Sequence, residues 1–286
     1  MVLFTEDPIR ALQQFSSPWL DIAFIAITQL GSRHVLFILS MLVAYVVNKR
    51  AGFLVALAVL SSAALNGVLK TSFDMPRPSA ELHKIPVSGA GFPSGHAQAA
   101  GTFFGTTASI FGRVWTPLAL LFLSLVALSR VYLGVHFVGD VLGGVAIGLA
   151  VGAVWLLARR WNVGTRLSAR SQLLVAFLAP TAAQIGIYLT VREVSTTIGL
   201  LTGVAVGWTL EPRFVDLAPP RGNRSVATRL LLGGVALTGL EIAGRSLDFA
   251  PAEYGFEILV GLIATIGIPW LFVRVETRPG FTVPDP

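Results

Sequence analysis

From residue 51 to residue 69 the chain carries no charged side chain, and comparable stretches recur at 116–129 and 141–158. A helix of about 20 apolar residues crosses the hydrocarbon of a bilayer, where every backbone N–H and C=O has to be paired within the protein. Stretches of this length, repeated along the chain, restrict it to a helical bundle in lipid. Composition agrees, since only 13% of residues are charged whereas soluble domains carry about 25%. The expected fold class is all-α, a polytopic transmembrane helical bundle. A removable signal peptide is not expected, because Glu6, Asp7 and Pro8 stand where a basic head and an apolar run would be needed.

The absence of cysteine rules out disulfides and thiolate metal sites. The net charge of +6 does not require nucleic acid as a partner, because cytoplasmic loops of membrane proteins collect Lys and Arg. The partner implied by the composition is the bilayer.

Apolar runs set against polar breaks predict about ten helices, over 18–31, 35–47, 51–69, 93–111, 116–133, 136–157, 171–190, 196–210, 229–245 and 255–273. The first two are short for a bilayer, which calls for tilt, flanking extension or an interfacial position. One face of this arrangement collects Arg10, Lys49, Arg50, Arg113, Arg159, Arg160, Arg166, Arg170, Arg213, Arg221, Arg224, Arg229, Arg274 and Arg278. The other collects Arg33, Lys70, Arg77, Lys84, Arg130, Arg192 and Arg245. The richer face is expected to be cytoplasmic. Merging the first two spans would move only the amino terminus.

Three polar segments then stand at breaks that open on the poorer, extracytoplasmic face. The first runs from Lys70 to Pro78. Pro76 and Pro78 hold Arg77 in extended or turn backbone, and Lys70 continues the helical row Ser62, Asn66, Lys70. The second is Gly91-Phe92-Pro93-Ser94-Gly95-His96. A helix start leaves backbone N–H groups unpaired and favours an anion. Ser94 can cap that helix or donate to a phosphate oxygen, Gly95 allows close approach to the backbone, and His96 can donate a proton near neutrality.

The third segment has Arg130 at the end of one span and His136 with Asp140 at the start of the next. Four-residue spacing on a helix puts a carboxylate one turn from an imidazole, fixing its tautomer and charge. The row continues through Gly144, Gly148 and Gly152, a ladder of small residues that lets another helix approach closely.

Alone, each segment has a plain reading: Lys70 and Arg77 as snorkelling span ends, Ser94 as an N-cap beside an interfacial histidine, Asp140 as a cap next to a belt histidine. Together they are complementary. Fixed cations and a helix start hold a tetrahedral dianion, one imidazole attacks phosphorus and the other protonates the leaving oxygen.

With these residues in view, the sequence resembles the type 2 phosphatidic acid phosphatase superfamily of membrane lipid phosphatases. Its signature is Lys, six residues, Arg-Pro; then Pro-Ser-Gly-His; then Ser-Arg, five residues, His, three residues, Asp. Lys70 to Pro78, Pro93 to His96 and Ser129 to Asp140 reproduce it without departure and in order.

The resemblance implies His136 as a nucleophile that forms a phosphohistidine, Asp140 as its orienting group and His96 as general acid. It implies Lys70, Arg77, Ser94, Gly95 and Arg130 as phosphate-binding residues, with no metal and no cofactor. The substrate it implies is a lipid phosphate or diphosphate at the outer face of the cell membrane. It also implies a six-helix phosphatase core, residues 1–160; the motifs do not cover the rest, where the apolar runs predict a C-terminal transmembrane extension of unknown role over 161–286 with about four more helices.

The nearest rival keeps the phosphohistidine but passes the phosphoryl group to an acceptor other than water. An anion transporter would want its charges near the bilayer midplane and on several faces, not at span ends on one side. A vanadate-dependent haloperoxidase would use a similar pocket, but the hydrophobicity favours a lipid partner.

Outside the motifs, Asp74, Glu81, His34 and His83 read as surface residues. Glu241 and Arg245 read as an intrahelical ion pair, and 211–228 as an irregular, basic cytoplasmic loop. The C-terminal helices are a candidate surface for self-association, a wall of the lipid path or a separate membrane module.

Overall fold

A computed structural model describes residues 2–162, 167–191, 196–244 and 250–278. Among these the chain is helical, without strands. The helices are α1 (Asp7–Gln13), α2 (Pro18–Gln29), α3 (Arg33–Val46), α4 (Lys49–Phe73), α5 (Gly95–Phe111), α6 (Thr116–Tyr132) and α7 (Val138–Arg160). They continue with α8 (Ala169–Val191), α9 (Thr196–Phe214), α10 (Gly222–Gly244), α11 (Ala250–Leu262) and α12 (Ile268–Glu276). Two compact units form, one from Met1–Leu36 and Ser61–Trp161, the other from Phe37–Leu60 and Asn162–Pro286.

Among the described residues five helices are long and apolar enough to cross a membrane: Lys49–Phe73, Val138–Arg160, Ala169–Leu189, Gly222–Gly244 and Pro251–Glu276. A sixth candidate is α2 with α3, one span bent by 56° at its break. The ten predicted spans shrink by this test for physical reasons. The first two are one broken line. Helix α6 is short at 17 residues, and α5 and α9 carry buried Gln, Thr or Glu side chains that face protein and not lipid.

In the first unit α5 lies in the middle, packed against α6 and α7. Its Ala97, Ala100, Gln98 and Thr102 are fully buried. The glycine row on α7 does what its spacing predicts. A Cβ on Gly144 would lie 2.6 Å from Ser94 O, one on Gly148 2.1 Å from Gln98 O, and one on Gly152 2.5 Å from Thr106 Oγ1. Helix α5 answers with Gly101, where a Cβ would meet Val145 O at 2.9 Å. Close backbone approach of this kind is how helices associate in lipid, where no hydrophobic driving force operates.

A polar ladder ties α4 to the same pair. Gln98 Nε2 donates to Ser62 O at 2.8 Å, and Thr102 Oγ1 bonds Ser62 Oγ at 2.8 Å and Gly148 O at 2.9 Å.

The expected start of a helix at His136 is corrected. Gly134 has φ +72°, and Leu82 O sits 2.0 Å from where its Cβ would be, a turn that an L side chain would not fit. Phe137 stays extended as N-cap, so α7 begins at Val138.

The amino terminus also moves. Arg10, assigned to the cytoplasmic face from sequence, pairs with Glu81 at 2.8 Å in the loop that follows α4. Glu6 accepts hydrogen bonds from Ser79 N and Ser79 Oγ at 2.9 and 2.5 Å. These bonds and Arg10 hold the Glu6 carboxyl down to about 2. Gln13 Nε2 donates to both Leu82 O and Tyr132 O at 2.9 Å. Helix α1, which the apolar pattern does not reveal, thus caps the same end of the unit as the motifs. Its Ile9 is fully buried among Leu82, Ala97, Val131 and Val141.

In the second unit α9 packs on α11 through Gly199 and Gly203 and meets Thr265 beyond it through Gly207; a Cβ on Gly203 would lie 2.1 Å from Ile258 O. A π-helical turn over Ile263–Gly267 precedes α12. Pro269 removes an N–H that a regular helix would use there. Arg229 is buried, with Nε and Nη2 each 2.7 Å from a Glu276 oxygen and Nη1 on Tyr45 O and Ala218 O. The predicted loop 211–228 is mostly helical: α9 runs to Phe214 and α10 starts at Gly222. Arg245, half of the expected pair with Glu241, lies outside the described residues.

Candidate active site

The three motifs meet in the first unit, at the ends of α4 and α6 and the starts of α5 and α7. Lys70 sits in the last turn of α4 and donates to Ala90 O. Beyond the helix, Arg77 is half-buried and fully engaged. Its Nε donates to Gly89 O at 2.8 Å, Nη2 to Ser88 O at 3.0 Å and Nη1 to Val135 O at 2.8 Å. The same Nη1 lies 3.3 Å from His136 Nε2. The loop supplying these carbonyls is pinned by Gly91 N on Met75 O at 2.7 Å.

That contact settles the tautomer of His136. A guanidinium has donors only, so Nε2 presents its lone pair and the ring proton is on Nδ1. Nδ1 faces Asp140 Oδ2 at 3.4 Å. The same oxygen accepts Phe137 N at 2.9 Å, so Asp140 folds back on the helix start as an N3 acid does in a capping box. The pair therefore meets across a helix boundary and not along one regular turn.

His136 is 2% exposed and Asp140 0%. Burial holds the His136 imidazole well below its usual range, reinforced by the positive charges of Arg130, Arg77 and Lys70 and by His96. Each of these effects favours the neutral ring. Arg77 is lowered by burial, against a pull upward from Asp140.

Ser94 caps α5 in an unusual way. Its N–H donates to Asp140 O at 3.0 Å, while its buried Oγ has no partner among the described residues. Gly95 follows, where a Cβ would stand 2.9 Å from Asn66 Oδ1. His96 is half-buried in the first turn of α5.

Arg130, in the last turn of α6, is 3% exposed. Its Nη1 donates to Thr28 Oγ1 at 2.8 Å, and its buried Nε has no partner among the described residues. The structure thus brings all eight predicted residues to one place, Lys70, Arg77, Ser94, Gly95, His96, Arg130, His136 and Asp140.

Sequence reasoning missed several supports. Asn66 Nδ2 donates to Pro93 O at 3.2 Å and Gln98 Oε1 at 2.8 Å. Asn66 had a signal, its place in the row with Ser62 and Lys70. Gln98, a long amide in a small-residue helix, had a weak one. Thr28 and the carbonyls of Ser88, Gly89 and Ala90 had none.

Residues 51–164 match the PAP2 superfamily, and residues 195–279 match the transmembrane extension of PAP2 superfamily phosphatases. Over 88% of its length the chain is 30% identical to glucose-6-phosphatase 3 of Bos taurus, covering 79% of that protein. The chain belongs to the PAP2 superfamily.

Phosphatidylglycerophosphatase B of Bacillus subtilis (strain 168) is 34% identical over 49% of this chain and 75% of its own length. A solved structure, the first transmembrane PAP2 type phosphatidylglycerolphosphate phosphatase from Bacillus subtilis, is 29% identical. It covers 56% of this chain and 87% of that one, with a TM-score of 0.48. The PAP2 match contains every motif residue above. It begins after α2 and α3, and the extension takes in α9 to α12.

Proposed function

We propose that this PAP2 protein is an integral membrane phosphatase that hydrolyses a lipid phosphate or polyprenyl diphosphate through a phosphohistidine, without a metal ion, at the extracytoplasmic face. One observation carries the reading. Two buried donors without a partner among the described residues, Ser94 Oγ and Arg130 Nε, accompany the Nε2 lone pair of His136, which Arg77 Nη1 faces at 3.3 Å. Buried donors left unpaired are costly, about 1–3 kcal/mol each, and a phosphate oxygen is the acceptor that suits both. Lys70, Arg77 and the start of α5 supply the remaining positive field.

In this scheme Nε2 attacks phosphorus and the bond to the lipid oxygen breaks. His96, protonated, gives its proton to that oxygen, and the alcohol or lipid monophosphate leaves. Water then gives a proton to His96 and attacks the phosphohistidine; the N–P bond breaks, returning the lone pair to Nε2 and releasing phosphate. Asp140 keeps the Nδ1 proton in place throughout and balances the charge on the phosphorylated ring.

A lipid substrate is supported by the apolar setting and by the name of the Bacillus relative; the name of the Bos taurus relative supports phosphate-ester chemistry in general. With Arg10 moved to the motif side and Arg33 at the break inside the first span, the basic residues still favour the opposite face, thirteen against seven, which supports an outward-facing site.

The test is purified protein in detergent with EDTA and a panel of phosphatidic acid, phosphatidylglycerol phosphate and undecaprenyl diphosphate. Free phosphate is expected from at least one, with turnover lost in His136→Ala. Activity retained in that variant overturns the histidine nucleophile, and a phosphorylated acceptor in place of free phosphate makes the enzyme a transferase.

A further inference from the structure

The broken first span reaches the phosphate site from outside the segment that matches the PAP2 superfamily. Helix α2 packs along α6. Phe24 stacks on Tyr132 with ring centroids 4.3 Å apart, and Tyr132 Oη donates to Asp21 at 2.5 Å. One turn further on, Thr28 is 1% exposed, and its Oγ1 is the acceptor of Arg130 Nη1 at 2.8 Å. The break follows at once. Gly31 there sits so close to the next elements that a Cβ would lie 2.6 Å from Val126 Cγ1 and 3.0 Å from His96 O. The end of α2 is thereby seated against both Arg130 and the backbone of His96.

We propose that Thr28 is a positioning residue: its hydroxyl fixes the plane of the Arg130 guanidinium so that Nε faces the phosphate. The proposal rests on the phosphatase reading of the site. An arginine side chain has several rotatable bonds and loses much entropy when ordered. The guanidinium is a rigid, planar fork, so holding one Nη sets the direction of every other donor. Among the described residues Arg130 has no carboxylate partner to do this; Nη1 donates to Thr28 Oγ1, and the buried Nε has no partner there. No signature residue lies on α2, so the motifs give no hint of the contribution.

The experiment compares Thr28→Val, which keeps the shape and removes the acceptor, with Thr28→Ser, which keeps the hydroxyl. Two quantities are read: KM and kcat for whichever lipid phosphate the wild type hydrolyses, and the affinity for orthovanadate from its concentration-dependent rise in Tm. Thr28→Val is expected to raise KM and weaken vanadate binding about tenfold, with kcat changed far less, and Thr28→Ser to restore both.

A Thr28→Val protein that binds vanadate as tightly as wild type overturns the proposal. So does a Thr28→Ser protein as impaired as Thr28→Val, since the methyl and not the hydroxyl would then matter. If Thr28→Val does not fold, Thr28→Ala, which leaves room for water at Nη1, is set against Thr28→Ser by the same criteria. Arg130→Ala separates the two levels. Its loss of vanadate binding beside an unaffected Thr28→Val sinks only the Thr28 inference, whereas tight vanadate binding by Arg130→Ala sinks the reading of the site and the inference with it.

Discussion

Arg77 Nη1 stands 3.3 Å from His136 Nε2, so a cation that cannot accept a hydrogen bond faces the imidazole lone pair. The relationship has a consequence for pH. Burial first, then Arg130, Arg77, Lys70 and His96, depress the His136 pKa. A depressed pKa keeps the ring neutral below the ordinary histidine value of about 6.5 and lets it protonate only at lower pH.

The acid limb of kcat/KM that belongs to His136 is therefore expected below pH 6.5. Arg77→Gln, which removes one of the depressing charges, should move that limb upward while lowering kcat/KM. Comparing the two proteins on one substrate cancels the titration of the substrate phosphate. A limb that stays put in Arg77→Gln would show that the cation does not act on His136.

Asp140 has two jobs that one substitution separates. Its Oδ2 accepts Phe137 N at the start of α7 and faces His136 Nδ1. Asp140→Asn retains an oxygen for the backbone but loses the charge that stabilises the ring once it is phosphorylated. Thermal stability should change little, while kcat falls by about 10²-fold or more. A large drop in Tm with kcat preserved in the folded fraction would make Asp140 a helix cap only.

The apolar runs and the three motifs made most of the first unit legible. Long, charge-free segments have few alternatives in lipid, and Pro76, Pro78, Gly95 and the glycines of α7 act through backbone rules that hold whatever their surroundings. The missing parts were those without a side-chain signature. Carbonyls of Ser88, Gly89 and Ala90 hold Arg77 and Lys70, and any sequence offers carbonyls. Thr28 is one threonine in an apolar helix, and its partner lies far along the chain. The start of α7 was misplaced by two residues because His136 and Asp140 fit a helical spacing, whereas the left-handed Gly134 and the extended Phe137 end the helix geometry before it reaches His136. Helix α1 was missed because it is short and polar on one side, with Ile9 buried by tertiary contacts alone.

The glycine ladder gives a prediction on stability. At Gly148 a Cβ would lie 2.1 Å from Gln98 O and 2.9 Å from Thr102 N, both backbone atoms of α5. Backbone cannot swing aside as a side chain can, so Gly148→Ala is expected to cost about 1–3 kcal/mol and to lower Tm. Activity should fall with it, because the displaced α5 carries Gly95 and His96 in its first turn. The control is Gly234→Ala in α10, where a Cβ meets nothing within 4 Å. It should be neutral or slightly stabilising. Equal behaviour of the two variants would mean that α5 and α7 do not approach as closely as described.

Sidedness can be read directly because the chain has no cysteine of its own. Glu81 is exposed in the loop that carries the first motif and is bonded to Arg10 of α1; Arg159 and Arg160 end α7 at the other extremity of a span. In intact cells, Glu81→Cys and Arg10→Cys should both react with a membrane-impermeant maleimide, and Arg160→Cys only after permeabilisation. The first pair must label alike, since an ion pair cannot straddle a bilayer, and this holds whichever face is outside. Labelling of Arg160→Cys alone in intact cells would invert the orientation and put the phosphate site on the cytoplasmic side. Labelling of Glu81→Cys without Arg10→Cys would instead separate α1 from the loop and restore the amino terminus to the face that its charge first suggested.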